Sequence, residues 1–299
     1  MKIAVGQLCS SSNLQKNLQT VKKIISKAIE NQTKILFLPE ATDYISQNAQ
    51  HSIELSKTVN SNFLTPLLNH IKDLQNSPYI SIGIHLPSTT KEKVSNINIL
   101  INPKGEIISK YQKLHLFDVD VPQGPILKES NSVEAGKEII EPIKIPNTLA
   151  CIGLAICYDI RFPELALKLR QKGANIITFP SAFTTKTGDA HWETLTKARA
   201  LDTQSFIINA AQCGKHNVGT NDKGDIVERI SYGDSIIVDG WGKVLNRGQK
   251  YNELSEDDIK NSDEYFEIIY ADLDFENLEK IRTNMPLLNH RRSDVLGEL

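Results

Sequence analysis

Apolar positions along the chain fall alternately into short continuous runs and into sets spaced by three or four residues. The run Lys2-Ile3-Ala4-Val5-Gly6-Gln7-Leu8 predicts a strand, after which Leu14, Leu18, Val21, Ile25, Ala28 and Ile29 recur at helical spacing. A strand over 34–39 follows, and Phe63, Leu64, Leu67, Leu68, Ile71 and Leu74 mark a second helix. Further strands are expected near 79–85, 97–102 and 106–111. The second half repeats the pattern with strand 150–157, helix 163–172, strand 175–179, a helix from about His191 to Thr203, and strand 206–211. Late strands are expected near 235–239, 243–246 and 266–272. Such alternation predicts an α/β protein. No Pro-, Ser- or Gly-rich linker divides the elements. One domain is therefore expected over 1–299, with a core to about 275 and a tail from about 276.

One strand end stands out. The apolar run from Ala150 to Ile156 stops on Cys157, turns through Tyr158-Asp159-Ile160-Arg161-Phe162, and enters a helix at Pro163-Glu164. Proline suits the first helical position, and a glutamate there complements the helix dipole. A thiol at such a corner lies near unpaired N–H groups, which favour the nucleophilic thiolate. Cys157 is thus a candidate nucleophile, with the Tyr158 N–H as part of an oxyanion site. The competing reading is a packed structural cysteine. Two other apolar strands also end on charged residues, Leu36-Phe37-Leu38-Pro39-Glu40 and Lys110-Tyr111-Gln112-Lys113. Strand ends are where α/β sheets form ligand crevices. Glu40, Lys113 and Cys157 together make a coherent chemical set.

The segments LFLPE, YQKLHLF and GLAICYDIRFPEL resemble the three motifs of the nitrilase superfamily of carbon–nitrogen hydrolases, in the same order. The resemblance covers Met1 to about Arg292. It implies a four-layer α-β-β-α sandwich, a Glu40–Lys113–Cys157 triad, and a second active-site acid at Glu129. In the chemistry so implied, Glu40 is the general base for the thiol and Lys113 and the Tyr158 N–H hold the oxyanion. Glu129 steadies Lys113, and no metal or cofactor takes part. The basic, Pro-broken tail from Met285 to Arg292 reads from sequence equally as a frayed terminus; in family members it reaches across a dimer partner, so the resemblance implies a homodimer.

Finer motifs resemble the small-amidase branch. Gln123-Gly124-Pro125, Phe179-Pro180-Ser181-Ala182-Phe183 and Ala211-Gln212-Cys213-Gly214-Lys215-His216 look most like deaminated glutathione amidases. The reaction then implied splits deaminated glutathione into 2-oxoglutarate and cysteinylglycine. A sister omega-amidase, acting on 2-oxoglutaramate or 2-oxosuccinamate, shares the acyl half and remains an alternative. A non-catalytic binding protein of the same fold is a remoter one. The segments Pro122 to Lys128 and Cys213 to His216 are expected to extend the pocket toward the leaving amine.

Arg161 lies four residues past Cys157, where a guanidinium can grip a substrate carboxylate; the alternative is an ion pair with Glu164. Phe183 is expected to wall the pocket and Thr187 to hydrogen-bond a carboxylate. Trp192 reads as core, and Arg199 with Asp202 as a structural pair. The stretch Lys215 to Ser231 reads as a mobile loop, and the acidic stretch from Gln249 to Glu267 as a solvated one.

Composition narrows the partners. A length of 299 residues with 40% hydrophobic content supports a substantial core, and a net charge of −2 argues against nucleic acid. Cys9, Cys151, Cys157 and Cys213 show neither Cys-x-x-Cys nor zinc-like spacing with the histidines. A reduced compartment follows. The chain opens on a strand with no signal segment, and no apolar run approaches the ~20 residues of a membrane span. The expected location is the cytoplasm, with a mitochondrial isoform left open, and the expected partner is a small keto-acid amide.

Overall fold

Short apolar runs produce short strands, and their order along the chain sorts them into two sheets. The computed structural model describes residues 1–90, 92–120, 126–221 and 223–297. Strands β1 (Lys2–Leu8), β2 (Ile35–Phe37) and β3 (Tyr79–Pro87) lie parallel, followed antiparallel by β4 (Val94–Ile101) and β5 (Ile107–Gln112). A small pair, β6 (Asp118–Asp120) and β7 (Ile126–Lys128), leads to the second sheet. There β8 (Ile143–Lys144) flanks the parallel trio β9 (Cys151–Leu154), β10 (Ile176–Thr178) and β11 (Phe206–Asn209). A second small pair, β12 (Cys213–Lys215) with β13 (Ile230–Tyr232), precedes β14 (Ile236–Val238) and β15 (Val244–Arg247). The last strand, β16 (Phe266–Asp272), returns beside β1. The two sheets have the orders β16-β1-β2-β3-β4-β5 and β15-β14-β11-β10-β9-β8.

Side-chain alternation decides what each sheet face meets. In β3 and β4, Ile80, Ile82, Ile84, Ile97, Ile99 and Ile101 face helices α1 (Leu14–Glu30), α2 (Ala49–Val59) and α3 (Thr65–Asp73). Ile3, Val5, Ile35, Phe37 and Leu100 face the other way, against Ile152, Leu154 and Ile176 of the second sheet. Leu165, Leu169, Trp192 and Ala200 of α4 (Pro163–Gln171) and α5 (Thr185–Thr203) cover its far side. Each such side chain contributes roughly 1.5–3 kcal/mol on burial. The result is the α-β-β-α sandwich that the sequence motifs implied.

Several elements differ from the sequence reading. Helix α2 was not expected, because its buried face is Ser52, Ser56 and Val59 and leaves little apolar periodicity. Helix α5 starts at Thr185 rather than His191, since its first turn is polar and is held by the Thr184 cap. The acidic stretch exposes most of its carboxylates, yet it contains helix α6 (Glu256–Lys260) and plugs Leu254 and Tyr265 into a cluster with Cys9 and Cys213. The expected mobile loop is also docked. Val218 and Val227 pack with Ala41 and Ile45, and Gln47 Nε2 donates to the carbonyls of Val218 (2.7 Å) and Thr220 (2.9 Å). The tail begins with a packed helix, α7 (Phe275–Asn284), anchored by Phe275 and Leu278.

Candidate active site

The carboxyl ends of both sheets converge on one cavity of about 380 Å³. Cys157 reaches it from β9. Its φ of +44° is a left-handed conformation costly for a side-chain-bearing residue, and it opens the tight turn Cys157–Arg161. The Cys157 N–H donates to Pro180 O (3.0 Å). Asp159, two residues on, is wholly buried and ties the corner down. Its carboxylate accepts from Ile156 N–H (2.9 Å), Tyr111 O–H (2.7 Å) and His115 N–H (3.1 Å), and pairs with His115 Nδ1 (2.7 Å). Tyr158 occupies the first turn, where backbone N–H groups have no partner within the helix, so its N–H is available to an oxyanion.

Glu40 enters from β2. Gly83 lets it approach: a Cβ there would lie 2.5 Å from Glu40 Cα and 2.6 Å from Pro39 O. Gln212 Nε2 holds the Glu40 carbonyl (3.0 Å), while Ala182 N–H (3.0 Å) and Asn96 Nδ2 (2.8 Å) donate to its carboxylate. Lys113 follows β5 and places Nζ 2.9 Å from Glu40 Oε1 and 2.9 Å from both oxygens of Glu129. Glu129 is held in turn by Phe117 N–H (2.7 Å) and Asn96 Nδ2 (3.2 Å). Thus Glu40, Lys113, Glu129 and Cys157 meet around one space.

Burial opposes charge on each of these groups, and the neighbours decide the outcome. Burial would raise the Glu40 carboxyl, but Lys113, Asn96 and Cys157 outweigh it and hold the carboxyl below its ordinary value. Burial would lower Lys113, yet Glu129 and Glu40 hold its ammonium well above its ordinary value. For Cys157, burial and then the Glu40 charge push the thiol well above its ordinary value, with Lys113 offsetting only part. This corrects the expectation of a thiolate at the corner. The surroundings thus favour the thiol at Cys157 and the carboxylate at Glu40.

A testable consequence separates the two states. Alkylation of Cys157 by a small electrophile, read by peptide mapping, should keep rising past pH 9 in the native protein. Glu40→Gln removes the carboxylate that helps keep the thiol protonated, so the same profile should move to lower pH although turnover is lost. A native profile already level by pH 8 would show a resting thiolate.

The remaining candidates are spread around the cavity. Phe183 and Thr187 line it; Phe183 packs edge-to-face on the core residue Trp192, and Thr187 Oγ1 bonds Thr184 Oγ1 (2.9 Å). Arg161 is not among the residues that line the cavity; its Cζ lies 5.8 Å from the Tyr158 ring and 5.9 Å from the Phe183 ring, with Nη2 3.1 Å from His191 Nδ1. Among the described residues it forms no ion pair with Glu164. Arg199 pairs with Asp202 (2.8 Å) and also donates to Ile160 O (2.7 Å), supporting the nucleophile turn. Cys213 and His216 do not line the cavity. They are buried beneath it, His216 bonded to Ser10 O (2.7 Å) and Ser231 Oγ (2.8 Å). Gln123-Gly124-Pro125 lies outside the described residues.

Sequence reasoning missed Asn96, Asp159, Arg229 and the buried pair His85–Asp43 (3.0 Å). One signal was present. Ser81, His85, Asn96 and Asn98 alternate with isoleucines in strands buried on both faces, a costly placement unless they serve something.

The cavity sets a buried cysteine against an acid–lysine pair. The carbon–nitrogen hydrolase family profile matches residues 2–283, and the chain belongs to that family. The probable hydrolase nit2 of Schizosaccharomyces pombe is 44% identical over 295 residues, covering 98% of this chain and 97% of that protein. Deaminated glutathione amidase of Mus musculus is 37% identical over 302 aligned positions, 99% of this chain and 85% of the relative. The crystal structure of the Caenorhabditis elegans NitFhit protein superposes with a TM-score of 0.84 at 35% identity, over 98% of this chain. The chain spans only 65% of that fusion protein.

Proposed function

We propose that this carbon–nitrogen hydrolase is an amidase that cleaves deaminated glutathione through a thioester on Cys157. The observation that carries the reading is the convergence of Glu40, Lys113, Glu129 and the Cys157 thiol on one cavity. As sulfur attacks the amide carbon, Glu40 takes the thiol proton. Lys113 has three donors facing three carboxylate oxygens, one of Glu40 and two of Glu129, and by turning one away from Glu129 it holds the oxyanion with the Tyr158 N–H. Collapse breaks the C–N bond, and Glu40 returns the proton to the departing amine. Water then attacks the thioester, Glu40 takes its proton, and 2-oxoglutarate and the thiol are released. Glu129 keeps Lys113 in place throughout. The acyl half carries a carboxylate beside its ketone, for which Arg161, next to the wall residues Tyr158 and Phe183, is the candidate partner, while Phe183 and Thr187 wall the site.

The names of relatives at 36–37% identity support this substrate class. A homodimer in the cytoplasm fits the reading. Four free cysteines suit a reducing compartment, and among the described residues no helix is long and apolar enough to cross a membrane.

Mass spectrometry on a quenched reaction should show the 2-oxoglutaryl adduct on the peptide containing Cys157. Deaminated glutathione should have a higher kcat/KM than 2-oxoglutaramate, because binding of the remote amine half is used to orient the amide. A better 2-oxoglutaramate rate would make the protein an omega-amidase. No adduct and no turnover with either would favour the binding-protein reading.

A further inference from the structure

The wall contributed by the docked loop brings Arg229 to the cavity, and no step of the mechanism above uses it. Its backbone is fixed because the His216 N–H donates to Arg229 O (2.8 Å). Its side chain leans on the segment after Glu40, with Nη1 donating to Ser46 O (3.2 Å). Among the described residues, no carboxylate lies within ion-pair distance of this guanidinium. A guanidinium has five donors in a planar fork that matches a carboxylate. Here one donor is committed, and the side chain stays solvent-accessible at the cavity wall.

The cavity continues past the reacting centre. Besides Cys157 and Lys113 its lining includes Ser46, Gln47, Asn48 and Arg229, with Arg229 Nη1 donating to Ser46 O. Arg161 has different neighbours, Tyr158, Phe183 and His191, of which the first two line the cavity, so the two guanidiniums lie beside different residues of its wall. A substrate with one anionic group on its acyl half and another on its amine half would meet both. In an extended dipeptide the terminal carboxylate sits about 7 Å from the amine end, beyond the scissile bond.

We propose that Arg229 forms a carboxylate-binding subsite for the amine half of the substrate. It would select amides whose leaving amine ends in a free carboxylate, such as a dipeptide, over amides that release ammonia or a neutral amine. The inference rests on the amidase reading above and names the leaving-group class of the same site.

The test compares deaminated glutathione with its C-terminal carboxamide, which differs only in the leaving half. In the native protein kcat/KM for the acid should exceed that for the carboxamide by roughly 10- to 100-fold, as expected for a hydrogen-bonded charge pair. Arg229→Gln should collapse that ratio to about threefold or less. Arg229→Lys should keep part of it, since an ammonium retains charge but not the fork. Arg161→Gln should lower both rates and preserve the ratio. An unchanged ratio in Arg229→Gln would overturn the proposal, as would a native ratio near one. Loss of the ratio in Arg161→Gln would instead assign the carboxylate to that residue. Absence of native turnover on either compound would overturn the amidase reading itself.

Discussion

Replacing Cys157 by alanine should reduce turnover by on the order of 10⁴-fold or more while leaving the melting temperature close to that of the native protein. Cys157 is the only cysteine among the described residues lining the cavity, and its removal deletes one small, buried side chain. Glu40→Gln should be nearly as damaging, because the amide cannot carry the thiol proton to the leaving amine. Lys113→Ala should behave differently. It removes an oxyanion donor, worth roughly 10²–10³ in rate, and leaves Glu40 and Glu129 without the ammonium that sits 2.9 Å from each. Removing one partner of a buried ionic cluster costs about 3–5 kcal/mol. The lysine variant should therefore lose both activity and a large share of its stability. Cys9, Cys151 and Cys213 do not line the cavity, and conservative replacement there should preserve turnover. Kinetics and thermal melts on the four sets of variants check this. Near-normal amidase activity in Cys157→Ala would refute the thioester mechanism.

Asp159→Ala should rank second, through positioning rather than chemistry. Its carboxylate joins the nucleophile turn to the Lys113 segment, accepting from Ile156 on one side and from Tyr111 and His115 on the other. Alanine would leave several buried donors without a partner, at roughly 1–3 kcal/mol each. A fall in melting temperature on the order of 10 °C is expected. A merely structural role would lower stability and leave the folded enzyme competent. Measured well below the melting temperature, kcat should still fall at least about tenfold, and Cys157 alkylation should lose its dependence on Glu40. Native kcat in the folded variant would reduce Asp159 to a stability element.

Glu40 also sets a pH limit on stability. Its carboxyl is held below the ordinary value in the folded state, so the stability it contributes is complete above the ordinary carboxylate range. That stability is lost as pH falls through the lowered value.

The triad was legible because each member ends a strong apolar run: Ile35-Leu36-Phe37 before Glu40, β5 before Lys113, and Ala150 to Ile156 before Cys157. Strand ends are local features, and motif order carried the rest. Helix α2 was illegible because its inner face is serine, and the polar inward positions of β3 and β4 carry meaning only once the second sheet covers them.

By itself the sequence singled out Glu40, Lys113 and Cys157 as one chemical set, because residue type and strand-end placement are written in the chain. It determined the α/β layering for the same reason, since hydrophobic period selects strand or helix locally. Only the tertiary structure decided the charge states. A corner whose N–H groups favour thiolate is pushed toward the thiol, first by burial and then by the charge of Glu40, more than a hundred residues away in sequence. Only the tertiary structure, too, turned a glycine- and asparagine-rich loop into a wall. Val218 and Val227 find their apolar partners, Ala41 and Ile45, in a distant segment, and that packing is what carries Arg229 to the cavity.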